Sequence, residues 1–303
     1  MAGCYNLTSL KGLAYSISFA VSYAVQAGLA KAMLENGSNA FELVFLRCVI
    51  HIAVIVIFTS WEATISYTLV DMFLYICSTI TALFAWILMV VSFSYLEIGD
   101  SVAIEIGSTV LFTAFVGHIW LCERVDKVDI PILSLTVIGV LLVTKPSMMF
   151  EENVDQKQIL GAVFALATGL LYSIYPVTVK FIARRGALNI KVFQLCHGIT
   201  GIPITLVIAL FSTPWKPSYS LGDCLMILVY QLFCLAQTSF FALALELEDA
   251  KYVAVSSTIS CVLTYLAQLT IFKATLDWLA IVGSSLIVSA VILLQIRKIM
   301  RSS

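Results

Sequence analysis

The chain has 303 residues, of which 61% are hydrophobic and 12% charged, with a mean hydropathy of +1.02 and a formal net charge of −1. An ordinary soluble domain carries roughly 25% charged residues, so this chain cannot cover a water-facing surface of its size. That excludes a soluble enzyme, a nucleic-acid binder and a disordered protein, and it points to a polytopic membrane protein.

The first ten residues are mildly polar without a basic cluster. The apolar run after Lys11 is too long for a signal-peptide core, so it is expected to stay as the first span. A helix needs about 20 apolar residues to cross a bilayer. Ten runs meet or approach this, near 12–34, 39–59, 70–95, 100–121, 128–145, 158–183, 190–211, 220–246, 250–272 and 276–296. They are apolar all round, which marks buried or membrane helices. The alternating segments of a membrane β-barrel are not visible. The expected fold is all-α and integral to the membrane, with ten transmembrane helices.

The breaks carry turn chemistry: Asn36-Gly37-Ser38, Glu97 to Asp100, Arg184-Arg185-Gly186 and Pro214 to Pro217. The longest polar stretch, Lys145 to Lys157, divides the chain nearly in half. With the N-terminus in the cytosol, eleven loop cations fall on the cytosolic side and five on the other, a bias that favours cytosolic termini. The eight cysteines show no metal-ligand spacing and read as small apolar packing residues. Sequons at Asn6 and Asn36 are expected to be unused, the first lying in the cytosol and the second too near the membrane.

An internal repeat is visible. At a shift of 149, Gly12 meets Gly161, Tyr23 meets Tyr172, Lys31 meets Lys180 and Gly37 meets Gly186. At 151, Val102-Ala103 meets Val253-Ala254 and Asp126 meets Asp277. Each half then holds five spans, at 10–146 and 158–297. Five is odd, so the second half enters from the opposite side, the inverted-repeat design of many secondary transporters.

With Gly12, Gly161, Lys31, Lys180, the Leu121-Cys122-Glu123-Arg124 turn and Gly139, the chain resembles the EamA-type members of the drug/metabolite transporter superfamily. Phe45-Leu46-Arg47 is similar to the G-type members of solute carrier family 35. The resemblance covers nearly the whole chain and implies two inverted five-helix EamA repeats. It implies a cavity among the first four helices of each half, with the fifth left to packing or homodimer contact. The second half departs from the motif, with Ala274 in place of Glu123 and Ala290 in place of Gly139.

An ionisable group in hydrocarbon costs around 2.5–3.5 kcal/mol on insertion scales and is a functional candidate by default. Arg47 lies about 12 Å deep in span two, from eight residues at 1.5 Å each. It reads either as a cavity cation for a carboxylate or phosphate or as a structural ion pair with Glu105 or Glu42. His197 falls opposite Cys48 under the repeat, beside Arg47, and His51 lies one turn beyond Arg47 on the same face. These histidines could couple transport to protons or be neutral and bonded to backbone carbonyls. Glu105 could pair with Arg47 in the empty state, or be an interfacial acid at a helix start.

A softer polar set contains Tyr23, Gln26, Tyr172, Tyr175, Gln231, Gln237, Tyr265 and Gln268; such residues face protein or a cavity. Tyr172 and Tyr175 precede Pro176, which can kink span six. The turn Glu123 to Asp129 reads as a solvated loop.

The expected function is a secondary transporter of a small organic solute, an anion or other metabolite, working by alternating access. No phosphate-loop, zinc-protease or nucleophile-elbow motif occurs, so neither ATP drive nor an enzyme is expected, and no cofactor, metal or nucleic acid is invoked. The alternatives are a non-transporting regulatory subunit and a membrane-embedded transferase. Plasma membrane and endomembrane are not separated, since no retention signal is visible in Arg-Ser-Ser.

Overall fold

The computed structural model describes residues 2–58, 67–123, 126–144, 155–211, 218–271 and 278–302. Arg124, Lys216, Lys273, Ala274, the Pro214–Pro217 break and most of the Lys145–Lys157 stretch lie outside the described residues. Within them every regular element is a helix: α1 (Ala2–Glu35), α2 (Ala40–Phe58), α3 (Leu69–Phe93), α4 (Ile98–Trp120), α5 (Asp129–Thr144), α6 (Gln156–Arg184), α7 (Ile190–Phe211), α8 (Leu221–Leu247), α9 (Ala250–Ser257), α10 (Ile259–Ile271) and α11 (Trp278–Ser302).

Among the described residues, eight segments are long and apolar enough to cross a membrane, with α9 and the start of α10 counted as one. Asp129–Leu142 and Ile281–Arg297 are shorter apolar helices. The 16 residues of α5 reach about 24 Å, short of the roughly 30 Å hydrocarbon core. The outer surface of the bundle is apolar, with Ile57, Leu210 and Leu221 among its most exposed side chains, as suits contact with lipid.

The helix ends recur in pairs. After α1, Gly37 at φ 83° lets its N–H reach Leu34 and the Ser38 N–H reach Met33; after α6, Gly186 at φ 68° does the same with Ala183, and Ala187 with Ile182. Both are Schellman caps, in which glycine takes the left-handed conformation without a Cβ penalty, and both obey the shift of 149. α3 and α8 each begin with a reciprocal capping box, Thr68 with Asp71 and Ser220 with Asp223, 152 residues apart. Lys31 Nζ donates to the Phe93 carbonyl at 2.9 Å, and Lys180 Nζ donates to the Leu245 carbonyl at 2.8 Å. Each lysine satisfies a carbonyl at a helix C-terminus, where the dipole favours a cation. These two cations are therefore braces inside the bundle rather than free loop charges.

The packing partners exchange in the same way. α1 lies on α8 and α3 on α6; α4 lies on α6, and α1 on α9 and α10; α2 meets α7, and α5 meets α11. A Cβ added at Gly12 would collide with Glu248 just after α8, and one added at Gly161 would fall 2.8 Å from Tyr95 and Leu96 just after α3. The bundle therefore interleaves its two halves instead of placing them side by side. Trp86, Tyr230 and Phe93 fill its centre.

One rod is interrupted. Thr258, at φ −63° and ψ −16°, separates α9 from α10, and the Cys261 N–H bonds to Thr258 O three residues back. The hydroxyls of Ser257, Thr258 and Ser260 each bond a carbonyl three residues upstream. Such back-bonding competes with the regular ladder and bends helices.

Candidate functional site: a central cavity with unpaired charge

A cavity of about 50 Å3 lies between the halves. Its wall comes from α1, α2, α3, α4, α6, α7, α8, α9 and α10, with no residue from α5 or α11. Arg47, Glu105, His197, Tyr23, Tyr172 and Tyr175 all reach it.

Arg47 is 3% exposed and holds its guanidinium 4.8 Å from the centroid of the Trp86 ring. Trp86 is itself fixed, its Nε1 donating to Tyr230 Oη at 3.1 Å. A buried cation–π contact of this kind orients the guanidinium. Nε and Nη1 of Arg47 are buried and find no hydrogen-bond partner among the described residues. The ion pair with Glu105 or Glu42 is not formed. Glu105 Oε2 accepts from Tyr23 Oη at 2.9 Å and Oε1 accepts from Thr109 at 3.4 Å. Glu42 accepts the Asn39 N–H at the start of α2, at 3.3 Å.

The rings of His51 and His197 lie tilted at 44° with centroids 5.6 Å apart, and none of their four ring nitrogens has a partner among the described residues. The backbone carbonyl that could have satisfied either is not engaged. His197 lines the cavity, while His51 stands behind it on α2. α2 and α7 meet closely here: a Cβ at Gly198 would lie 3.1 Å from the Cys48 carbonyl.

An aromatic wall completes the site. Tyr175 stacks on Phe241 at 5.3 Å and 10°, leans on Phe193 at 5.7 Å, and Phe19 meets Phe241 at 4.8 Å. Gln237 and Thr238 add polar groups, the latter held by Gln194 Nε2.

Two further candidates are placed elsewhere, and a third is not described. Gln26 is fully buried off the cavity wall, its amide without a partner among the described residues. Tyr265 packs against the main core. The side chain of Gln268 lies outside the described residues. The lining residues Phe19, Phe193 and Phe241 carry no signal in an apolar sequence, because phenylalanines facing lipid and cavity look alike. Thr109 could have been found, one helical turn from Glu105.

In the charged turn after α4, Glu123 and Asp129 are buried rather than solvated. Glu123 is 5% exposed, accepts the Ala250 N–H at the start of α9 at 3.3 Å, and pairs with Arg184 at 3.2 Å. Burial, followed by the nearby charge of Asp249, holds its carboxyl above the usual range, against the Ala250 amide and Arg184. Arg184 also donates to Leu121 O at 2.6 Å. Nearby, Lys251 reaches Asp129 at 3.0 Å, Arg297 bonds Asp129 and reaches Asp126 at 2.7 Å, and Arg185 reaches Asp71 at 2.7 Å. Each of these contacts joins one half of the chain to the other.

Residues 10–145 match the EamA-like transporter family. The chain is 23% identical over 300 residues to mouse solute carrier family 35 member G1, covering 96% of this chain and 80% of the mouse protein. The human protein of that name is 22% identical over 223 residues, which are 72% of this chain and 61% of that one. A solved crystal structure of a protein at 14% identity superposes with a TM-score of 0.67 over 94% of this chain and 96% of the other, a likeness of fold alone. With its apolar helices and these likenesses, the chain is a multipass membrane protein, similar over residues 10–145 to the EamA-like transporter family.

Proposed function

We propose that the chain is a secondary carrier in which two inverted halves, 10–146 and 158–297, alternate access to the central cavity. α5 and α11 then complete ten membrane-crossing rods, and both termini face the cytosol. The recurrence of caps and lysine braces at shifts of 149–152 supports the duplication. The observation that carries the functional reading is Arg47: a guanidinium on the wall of a cavity shared by both halves, with two of its nitrogens unpartnered among the described residues. An unpaired buried charge is costly, so it is retained where a ligand completes it. Solute enters, meets Arg47 with His197 beside it, and packs on Tyr23, Tyr172 and the aromatic wall. Contacts to both halves then stabilise a closed state.

Counterflow into liposomes containing only the purified chain tests this, with a panel of carboxylates, nucleotide sugars, amino acids and amines. Accumulation by wild type that is lost in Arg47→Ala is the expected result. Normal flux in Arg47→Ala removes Arg47 from the site. Silence across the panel favours a non-transporting membrane subunit.

A further inference from the structure

We infer that the turn between α4 and α5 is a clasp on the N-terminal end of α9, and that α9 swings as one body about Thr258 when Glu123 lets go. The cap of α9 comes from outside the helix. α3, α6 and α8 each begin with a residue whose own side chain caps them. Asp249, the N-cap of α9, makes no such bond, and its carboxylate is turned to Arg184 at 3.6 Å. The Ala250 N–H is answered instead by Glu123, 127 residues away. A carboxylate placed there also meets the positive end of the α9 dipole. At the far end of the same turn, Asp129 grips the helix a second time through buried Lys251, at 3.0 Å.

The turn is built to present Glu123. Cys122 stands at φ 53°, a left-handed conformation that side-chain-bearing residues seldom adopt. It brings the Glu123 N–H back to Gly117 O at 3.2 Å, and His118 Nδ1 lies 2.9 Å from the Glu123 carbonyl. The other end of α9 is the joint at Thr258, so eight residues, about 12 Å of helix, lie between clasp and joint. Ala254 and Ser257 carry this segment onto the cavity wall, and its movement reshapes that wall. The device is one-sided. Ala274, which replaces Glu123 in the second half, has no acceptor side chain to offer α4, whose N-cap Glu97 makes no side-chain cap bond either. The clasp stands or falls separately from the carrier reading, because its test measures no flux.

Hydrogen exchange of the full chain in detergent, read by mass spectrometry, follows α9 and α10 separately. Glu123→Ala removes the acceptor of the Ala250 N–H. It is expected to speed exchange in α9 by about 5- to 30-fold, the effect of losing a cap, while α10 stays within about twofold of wild type. Equal acceleration of α9 and α10 overturns the joint. Acceleration of neither overturns the clasp. Acceleration throughout the chain, α2 and α7 included, makes Glu123 a general stability residue and overturns the inference as well. If the variant does not elute as a folded species, wild type in rising urea decides alone. There α9 is expected to open as one cooperative unit before α10, and a single opening shared by both helices overturns the inference.

Discussion

The charges at the helix ends and those around the cavity are equally buried and differently treated. At the ends, Asp129 at 1% exposure meets both Lys251 and Arg297, and Glu123 meets Arg184 and the Ala250 amide. Around the cavity, Arg47 at 3% exposure has no carboxylate partner among the described residues. Breaking a satisfied buried pair strands its partner, whereas removing an unsatisfied charge strands nothing. The first set holds the bundle together, and the second is held ready by it.

Substitutions separate the two. Asp129→Ala removes the carboxylate that buried Lys251 reaches and one of the two that hold Arg297, and is expected to lower stability by about 3–5 kcal/mol, read as a fall in the unfolding midpoint in detergent. Arg47→Met should abolish flux yet leave the protein as stable or up to about 4 kcal/mol more stable, because an apolar chain replaces an unpaired ion. A marked loss of stability in that variant would make Arg47 a structural group and erase the contrast. Lys180→Met removes a charge-assisted hydrogen bond to Leu245 O and is expected to cost about 1.5–3 kcal/mol, with Lys31→Met, at a side chain 21% exposed, costing less.

The smallest effect concerns pH. Glu123 sits above its usual carboxyl range in the folded protein, so its protonated form is favoured there. Its contribution is present below the ordinary carboxylate value and is lost as pH rises through the raised one. Wild type should therefore lose stability relative to Glu123→Gln across that window and run parallel to it above. Melting curves over a pH series that stay parallel throughout would count against the assignment.

Much of the bundle is legible from single residues. Apolar runs give the rods, and the scarcity of ions in hydrocarbon picks out Arg47, His197 and Glu105, which the fold gathers at one cavity. The shift of 149 is readable at Gly37 and Gly186 because a left-handed cap demands glycine at both. What stays hidden is pairing at a distance. Arg297 and Asp129 lie 168 residues apart, and no local pattern says that they meet. The Glu123 turn reads as solvated because five charged residues among seven look like a loop, and it takes the N-terminus of α9 and Arg184 to turn Glu123 inward. The interruption at Thr258 is equally quiet, since Ser and Thr occur throughout membrane helices without breaking them.

That interruption makes the two halves mechanically unequal. Gly107, which the shift of 151 sets opposite Thr258, lies inside an unbroken α4, whereas α9 and α10 meet at a joint whose flanking Ser257 and Ser260 touch the cavity. A two-part machine with a joint on one side only has a stator and a rotor. In the proposed cycle, α4 with Glu105 is the fixed reference against which solute is positioned. The α9–α10 joint is the part that bends, so a filled cavity is felt first as torque on the second half.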